Sequence, residues 1–319
     1  MQVFRALDQI PQGYGPTVIA IGNFDGVHCG HRWIIEHARA RARELGAKCI
    51  AVTFDPHPVR VLRPQIAPPL ITTMPERLRL LASTGLDATV VLPFTRDFSL
   101  MPAEVFAKSI LHDGLHAVEV HEGDNFRFGY QAQAGIADLI ELGHRYGFTV
   151  GAHHTRIVRG LPVSSSQIRS RIAAGDMTAA RALLGRPFSI LSTSARGRGI
   201  GMQLTVPTIN LAPYAELLPA NGVYITRMKI GDGRNAPVFN GATNVGNRPT
   251  FGADSFAIET HLLDFHPVEL TENTPLELTF LRRIRAEQRF PSPEALKAQI
   301  LRDVAHTLRY FHLWKLLSQ

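Results

Sequence analysis

The stretch Gly22-Asn23-Phe24-Asp25-Gly26-Val27-His28-Cys29-Gly30-His31 constrains this chain more than any other, because a strand-like run precedes it and a helix-like run follows it. Thr17-Val18-Ile19-Ala20-Ile21 is apolar and rich in β-branched residues. That is the pattern of a buried parallel strand, although so short a run does not by itself exclude a helix fragment. Downstream, Ile34, Ala38, Ala42 and Leu45 recur at spacings of four and three, one face of a helix, and Gly46 stands where such a helix stops. A glycine-rich loop therefore joins a strand end to a helix start. There the first-turn N–H groups lack intrahelical partners and the helix dipole adds partial positive charge, so an anion is the expected occupant.

Gly22, Gly26 and Gly30 remove side chains where the chain turns or where a ligand approaches the backbone. His28 and His31 admit three readings: an exposed pair without a role, a metal pair, or donors to a phosphate group. No further Cys or His nearby completes a four-ligand metal set, and the strand–loop–helix context favours the phosphate reading. No Gly-Lys-Ser/Thr closes the segment, so it is not a Walker A loop.

Beyond the loop, strand-like runs at 50–54, 88–93, 117–121 and 149–152 alternate with helix-like runs at 75–83, 102–111 and 136–146. Alternation of this kind predicts a doubly wound α/β sheet, whose ligands sit beyond the carboxyl ends of the strands. The loops after the strand at 17–21 and after those at 50–54 and 117–121 carry the unusual residues. They are 22–31, Phe54-Asp55-Pro56-His57-Pro58, and Gly123-Asp124-Asn125-Phe126-Arg127-Phe128-Gly129. The Pro-rich segment 59–75 reads as a mobile connector. Val163-Ser164-Ser165-Ser166-Gln167-Ile168-Arg169 opens a helix whose apolar face is Ile168 and Ile172, and its hydroxyls are either a capping cluster or a second hand on an anion. A last helix at 178–184 ends in Gly185-Arg186-Pro187, where the alternation stops, so the domain boundary is expected between 185 and 186. Residues 188–280 read as short strands separated by turns, the pattern of a small antiparallel barrel, and 293–317 as a terminal helix with Leu296, Ile300, Val304 and Leu308 as its apolar stripe.

The decapeptide 22–31 resembles the Gly-x-Phe-Asp-Gly-x-His-x-Gly-His signature of the adenylyltransferase module of bacterial bifunctional riboflavin kinase/FAD synthetases. The Phe-x-Pro-x-Pro turn at 54–58, the Gly-x-Asp/Asn-Phe-x-Phe-Gly loop at 123–129 and the Ser-Ser-Ser-x-Ile-Arg segment at 164–169 match the same family in the same order. The resemblance implies a Rossmann-like nucleotidyltransferase fold over 1–185. It assigns His28 and His31 to catalysis, Gly22, Asn23, Phe24, Ser164, Ser166 and Arg169 to ATP, and Asn125, Phe54, Phe126 and Phe128 to the flavin. Each phenylalanine taken singly is as readily a core residue.

Residues 186–319 resemble riboflavin kinase in three pieces. Gly197, Gly199 and Gly201 precede Pro207-Thr208-Ile209-Asn210, where the family has Pro-Thr-Ala-Asn; Asn244-Val245-Gly246-Asn247-Arg248-Pro249-Thr250-Phe251 follows; and Ile258-Glu259-Thr260-His261-Leu262 matches the strand bearing the catalytic glutamate. By that resemblance the three glycines with Thr208 and Asn210 bind ATP, the hard oxygens of Thr208 and Asn210 take Mg²⁺, and Glu259 is the general base. Tyr224 is a weaker candidate for the nucleotide or flavin surroundings. The family has Leu-Gly-Phe before the Pro-Thr motif where this chain has Leu204-Thr205-Val206, and Ile209 replaces an alanine. These departures put kinase activity at risk, with a flavin-binding but inactive kinase module as the alternative.

Composition narrows the classes. A net charge of +7 permits a polyanionic partner, yet the arginines are scattered and no nucleic-acid motif appears. ATP, riboflavin, FMN and FAD are the expected partners, with no nucleic acid, and oligomeric state is open. The rival of another class is a flavin- or RNA-binding regulator without activity. Two cysteines and no run of some eighteen apolar residues lead to the expectation of a cytoplasmic protein without a membrane span.

Overall fold

The computed structural model describes residues 1–195, 208–233, 235–247, 256–268 and 270–317. The chain divides into two compact units, Met1–Ser165 and Ser166–Gln319.

In the first unit six strands form one parallel sheet: β1 (Gln2–Phe4), β2 (Thr17–Ile21), β3 (Lys48–Asp55), β4 (Ala88–Pro93), β5 (Ala117–Gly123) and β6 (Thr149–His153), in the order β1-β4-β3-β2-β5-β6. A two-stranded ribbon of β7 (Ile157–Val158) and β8 (Leu161–Pro162) follows. The helices are α1 (Cys29–Leu45), α2 (Pro58–Leu62), α3 (Met74–Ala82), α4 (Arg96–Ser99), α5 (Ala103–Val105) and α6 (Ile136–Tyr146). Alternate residues of the central strands serve opposite layers. Val18, Ala20, Cys49 and Ala51 pack with Ile35, Ala38 and Ala42 of α1 and Leu80 and Leu81 of α3. On the other face Ile19, Ile21, Ile50 and Val52 pack with Phe106, Ile110, Leu111, Leu139 and Leu142. Both faces are thus covered, as the near-continuous apolar strands require, and each large side chain so buried contributes about 1.5–3 kcal/mol.

The direction of strand progression reverses at β2, between β3 and β5, which puts the crevice of this sheet at the carboxyl ends of β2 and β5. Three details differ from the sequence expectation. The buried face of α1 is Ile35, Ala38 and Ala42, with Leu45 44% exposed at the helix end. The stretch expected as one helix at 102–111 is α5 followed by a π-helical run, Phe106–Gly114. The Pro-rich connector is not featureless: it forms α2 and a 3-10 turn, Pro64–Ile66, and then buries Leu70, Ile71 and Thr72.

In the second unit α7 (Ser165–Ala173), whose first residue closes the first unit, and α8 (Met177–Leu184) lead into β9 (Phe188–Ser192), β10 (Thr208–Asn210), β11 (Gly222–Ile230), β12 (Val238–Asn247), β13 (Phe256–Leu262) and β14 (Leu276–Ala286). They pair antiparallel in the order β10-β13-β12-β11-β14-β9. The two edges then meet. Ala195 N donates to Asn210 O and Ala212 N to Thr193 O, each at 2.9 Å, which closes the sheet as a barrel.

Inside it lie Tyr224, Phe280 and Ile209, and a row of buried hydroxyls, Thr226, Thr243 and Thr260, linked at 2.7 and 2.9 Å. Tyr224 is fully buried and donates its hydroxyl to Ala220 O, so it is a core residue rather than a ligand contact.

The terminal helix α9 (Pro293–Leu317) forms where expected but presents another face. Its buried positions are Asp303 and Thr307; Asp303 accepts from Arg285 of β14 through Nε at 3.0 Å and Nη2 at 2.8 Å. Leu296, Ile300 and Leu308 of the expected stripe stay 42–47% exposed. A charge pair, not the apolar stripe, sets how this helix is rotated on the barrel.

Candidate functional site

The loop after β2 builds the first candidate site. His28 is the N-cap of α1, and its Nδ1 accepts from the backbone N–H of His31 at 3.3 Å. Spacing of three on the first turn stacks the two imidazoles, ring centroids 3.5 Å apart at 15°. Gly26 has φ +86, a conformation that favours glycine, and a Cβ on Gly30 would stand 3.2 Å from the His28 ring, a tight contact.

Burial first, then the neighbouring His28 and Arg77, hold the pKa of His31 well below the usual histidine value. His31 is therefore neutral near pH 7. His31 Nδ1 and Asn23 Oδ1 are both buried without a hydrogen-bond partner. Buried polar atoms of this kind are costly unless a ligand meets them. Phe24 is fully buried in the apolar cluster, edge-on to His31 at 5.2 Å, so it shapes the histidine from behind. Among the described residues no group of three or more His, Cys, Asp or Glu side chains is arranged to hold a metal ion.

Asp25, a specified position of the signature to which no role was assigned from sequence, holds the loop. Its buried carboxylate accepts from Ile71 N at 3.0 Å, Thr72 N at 3.0 Å and Thr72 Oγ1 at 3.3 Å, and Gly26 N donates to Thr72 Oγ1 at 2.9 Å. Arg77 of α3, 1% exposed, lies 3.8 Å from Asp25. Ser165 also joins, donating Oγ to Asp25 O at 2.9 Å. Ser164 is half-buried beside it, whereas Ser166 is exposed and Arg169 half-buried on α7, within the second unit.

Phe54, Phe126 and Phe128 belong to one aromatic array. Phe98 lies 6.0 Å from Phe54 and 6.3 Å from Phe106, Phe106 lies 5.8 Å from Phe128, and Phe126 stacks on Phe128 at 5.3 Å and 9°. Phe94, Phe98 and Phe106, which extend the array, carried no motif and were not singled out from sequence. Phe126 is half-buried and Asn125 exposed at the start of the same loop. Next to it, Glu122 is buried with its Oε2 accepting from Gly123 N at 2.8 Å, and burial pushes its pKa up to about 8.

In the second unit the register of the sheet assembles the other candidate site. Asn210 of β10 stands opposite Glu259 of β13, which stands opposite Asn244 of β12. One step along, Thr208 is opposite His261 and His261 opposite Ala242. Residues directly opposite share a face, so Thr208, Asn210, Glu259, His261 and Asn244 form one patch. Glu259, His261, Asn210 and Asn244 are half-buried and Thr208 exposed; burial lowers the pKa of His261. Ile209 points the other way, 7% exposed and opposite Thr260, so its bulk fills the barrel interior and does not crowd Thr208 or Asn210. Asn244 and His261 were not assigned from sequence, although the period of two from Glu259 marks His261. Gly197, Gly199, Gly201, Thr205, Val206 and Arg248–Phe251 lie outside the described residues.

Comparison with known proteins matches each part separately. Residues 11–167 match the family model described as FAD synthetase, and 184–311 that described as riboflavin kinase. Relatives described as bifunctional riboflavin kinase/FMN adenylyltransferase include one from Pseudomonas fluorescens, 38% identical over 96% of both chains. Another, from Escherichia coli (strain K12), is 33% identical over 97% of this chain and 96% of its own. One from Haemophilus influenzae is 31% identical over 98% of this chain and all of its own. A crystal structure described as a macrolide-efflux protein from Streptococcus pneumoniae superposes with a TM-score of 0.81 at 24% identity, covering 96% of this chain and 97% of that one, a likeness of fold alone.

Proposed function

The chain belongs to the bifunctional riboflavin kinase/FMN adenylyltransferase family and carries both activities, and we propose that His28 and His31 serve adenylyl transfer while Glu259 serves phosphorylation. ATP and riboflavin give FMN and ADP in one reaction, and ATP and FMN give FAD and pyrophosphate in the other. The stacked histidine pair at the start of α1 is the observation that carries the first assignment.

In adenylyl transfer an FMN phosphate oxygen attacks the α-phosphorus of ATP as the bond to the β-phosphate oxygen breaks. Negative charge grows on the departing pyrophosphate. Because His28 Nδ1 accepts from the backbone, its neutral tautomer carries the proton on Nε2, which leaves Nε2–H as the donor to phosphate. Neutral His31 supplies a second donor without bringing a mobile proton, and Asn23 and Ser164 hold the triphosphate. The motif alone assigns Ser166 and Arg169 to ATP. Asn125 and the array of Phe54, Phe126 and Phe128 form the flavin side. The functional boundary is proposed at 185/186, where the strand–helix alternation of the sequence stops, just inside the start of the riboflavin kinase match at 184–311.

In phosphorylation the flavin 5′-hydroxyl attacks the γ-phosphorus, Glu259 accepts its proton, and ADP leaves. Thr208 and Asn210 offer a hydroxyl and a carboxamide oxygen side by side on one face of β10, a hard-oxygen set that fits Mg²⁺ shared with nucleotide phosphates. Thr208 and Asn210 would hold such an ion, which would supply neutralisation of phosphate charge. Among the described residues no helix is long and apolar enough to cross a membrane.

Product chromatography tests both assignments at once. Fed riboflavin, ATP and Mg²⁺, a variant with His28→Ala and His31→Ala is expected to accumulate FMN without FAD. Undiminished FAD would remove the histidines from the site.

A further inference from the structure

We propose that His261 is a second working residue of the riboflavin kinase site, donating a hydrogen bond to the phosphates of the adenine nucleotide beside Thr208. The inference rests on the assignment of Thr208, Asn210 and Glu259 to that site. It goes beyond it by giving a role to a side chain that no motif role covers.

Placement is the first argument. Thr208 and His261 are direct cross-strand partners, as are Asn210 and Glu259, and the two pairs are adjacent. Opposite side chains in an antiparallel pair have Cβ atoms about 4.5–5.5 Å apart. The four residues therefore occupy the corners of a patch no larger than a triphosphate. Glu259 takes the corner next to the nucleophile by its proposed role, and Thr208 and Asn210 line the β10 side. His261 is left at the corner that a phosphate chain held by Thr208 must pass.

Its neighbours supply the second argument. On the β12 side His261 faces the small Ala242, whereas Glu259 faces Asn244. Ala242, 8% exposed, offers the imidazole no polar partner on that side. The opposite face of β13 is closed: Ile258, Thr260 and Leu262 are buried in the barrel. His261 is half-buried, too covered to be a solvated surface histidine and too open to be core.

Chemistry supplies the third. An imidazole keeps at least one N–H in either protonation state, so the donor exists without any titration. A hydrogen bond to a charged phosphate is stronger than one between neutral groups. If it strengthens as charge moves onto the leaving ADP, its loss lowers kcat; if it is equal in ground and transition state, its loss raises KM for ATP.

Four variants in the full chain test this: His261→Phe, which keeps a planar ring without a donor; His261→Asn and His261→Gln, which keep an N–H; and Glu259→Gln as reference. His261→Phe is expected to lose at least about tenfold in kcat/KM for ATP in FMN formation and to bind ADP with Mg²⁺ more weakly by calorimetry. His261→Asn or His261→Gln is expected to recover part of both. FAD formation from supplied FMN and the thermal transition of the second unit monitor folding. Wild-type kcat/KM and ADP affinity in a folded His261→Phe protein would overturn the inference while Glu259→Gln remains inactive. Equal losses in all three His261 variants, matched by a lower transition temperature, would assign a packing role instead and overturn it too. Full FMN formation by Glu259→Gln would overturn the underlying site assignment.

Discussion

The two sites are built by opposite means. The histidine pair sits in a loop whose shape depends on partners far along the chain: Asp25 is held by Ile71 and Thr72, and Arg77 lies behind it. The Glu259 patch needs no such clamp, because β-register alone lines up Asn210, Glu259 and Asn244. A loop site is preorganised by buried hydrogen bonds, and a sheet site by the ladder itself. The first should therefore fail when a remote clamp is cut. The second should fail only when its own side chains change or the strand slips.

The largest expected effect isolates one site from the other. His28→Ala with His31→Ala should lower FAD formation from FMN by about a thousandfold or more, since loss of one donor to a developing oxyanion already costs about 10²–10³. Riboflavin phosphorylation by the same protein should stay within about twofold. Comparable loss in both reactions would mean that the two sites are not independent. Glu259→Gln should show the converse pattern, with FMN formation down by about 10²–10⁴ and FAD formation from supplied FMN retained. Retained phosphorylation would move the base elsewhere in the patch.

A clamp substitution sharpens the contrast. Asp25→Ala touches no substrate, yet it strips three hydrogen bonds from Ile71 and Thr72 and leaves the Arg77 guanidinium buried without its carboxylate. Breaking a buried pair in this way costs about 3–5 kcal/mol. Adenylyl transfer should fall by about 10–100-fold with a lower transition for the first unit in calorimetry, while phosphorylation is untouched. Undisturbed FAD formation would show that the histidine pair is held by its own helix and not by the clamp.

The same contrast explains what was legible in the sequence. The strand bounds at Thr17–Ile21 and Ala88–Pro93 and the helix at Ile136–Tyr146 follow from local apolar runs and their stop signals, and they are found as expected. The placement of the histidine pair at the start of α1 was legible because the strand, loop and helix signals that fix it lie close together in the chain. The role of Asp25 was not, because its place in the signature says nothing of the backbone N–H groups some 46 residues later that it holds. The α9 face was misread for a related reason. Leu296, Ile300, Val304 and Leu308 make a proper helical stripe, but the helix turns on Arg285 and Asp303, whose pairing no hydropathy period contains. Ile209, read as an obstacle, needed the barrel closure and the direction of β10 before its side chain could be placed inside.

The smallest expected effect concerns Glu122, beside the Asn125 loop. Its pKa rises from the ordinary carboxylate value to about 8 on burial, so the folded chain binds a proton that the unfolded chain releases. Stability from this group is present at low pH. It declines as pH climbs from the unfolded value near 4.5 towards and past 8, because unfolding then releases a proton. His153 on the neighbouring strand carries the opposite sign: burial first, then His121 and His37, lower its pKa to about 4, so its contribution is present above about 6.5 and fades as pH falls to 4. Glu122→Gln separates the two. The amide cannot ionise, so thermal unfolding of the variant should match wild type near pH 5 and lie above it at pH 9, whereas the acid-side loss due to His153 should persist unchanged. A variant less stable than wild type at pH 9 would show that the ionised carboxylate is accommodated and that the 123–129 loop is held by charge rather than by a neutral acid.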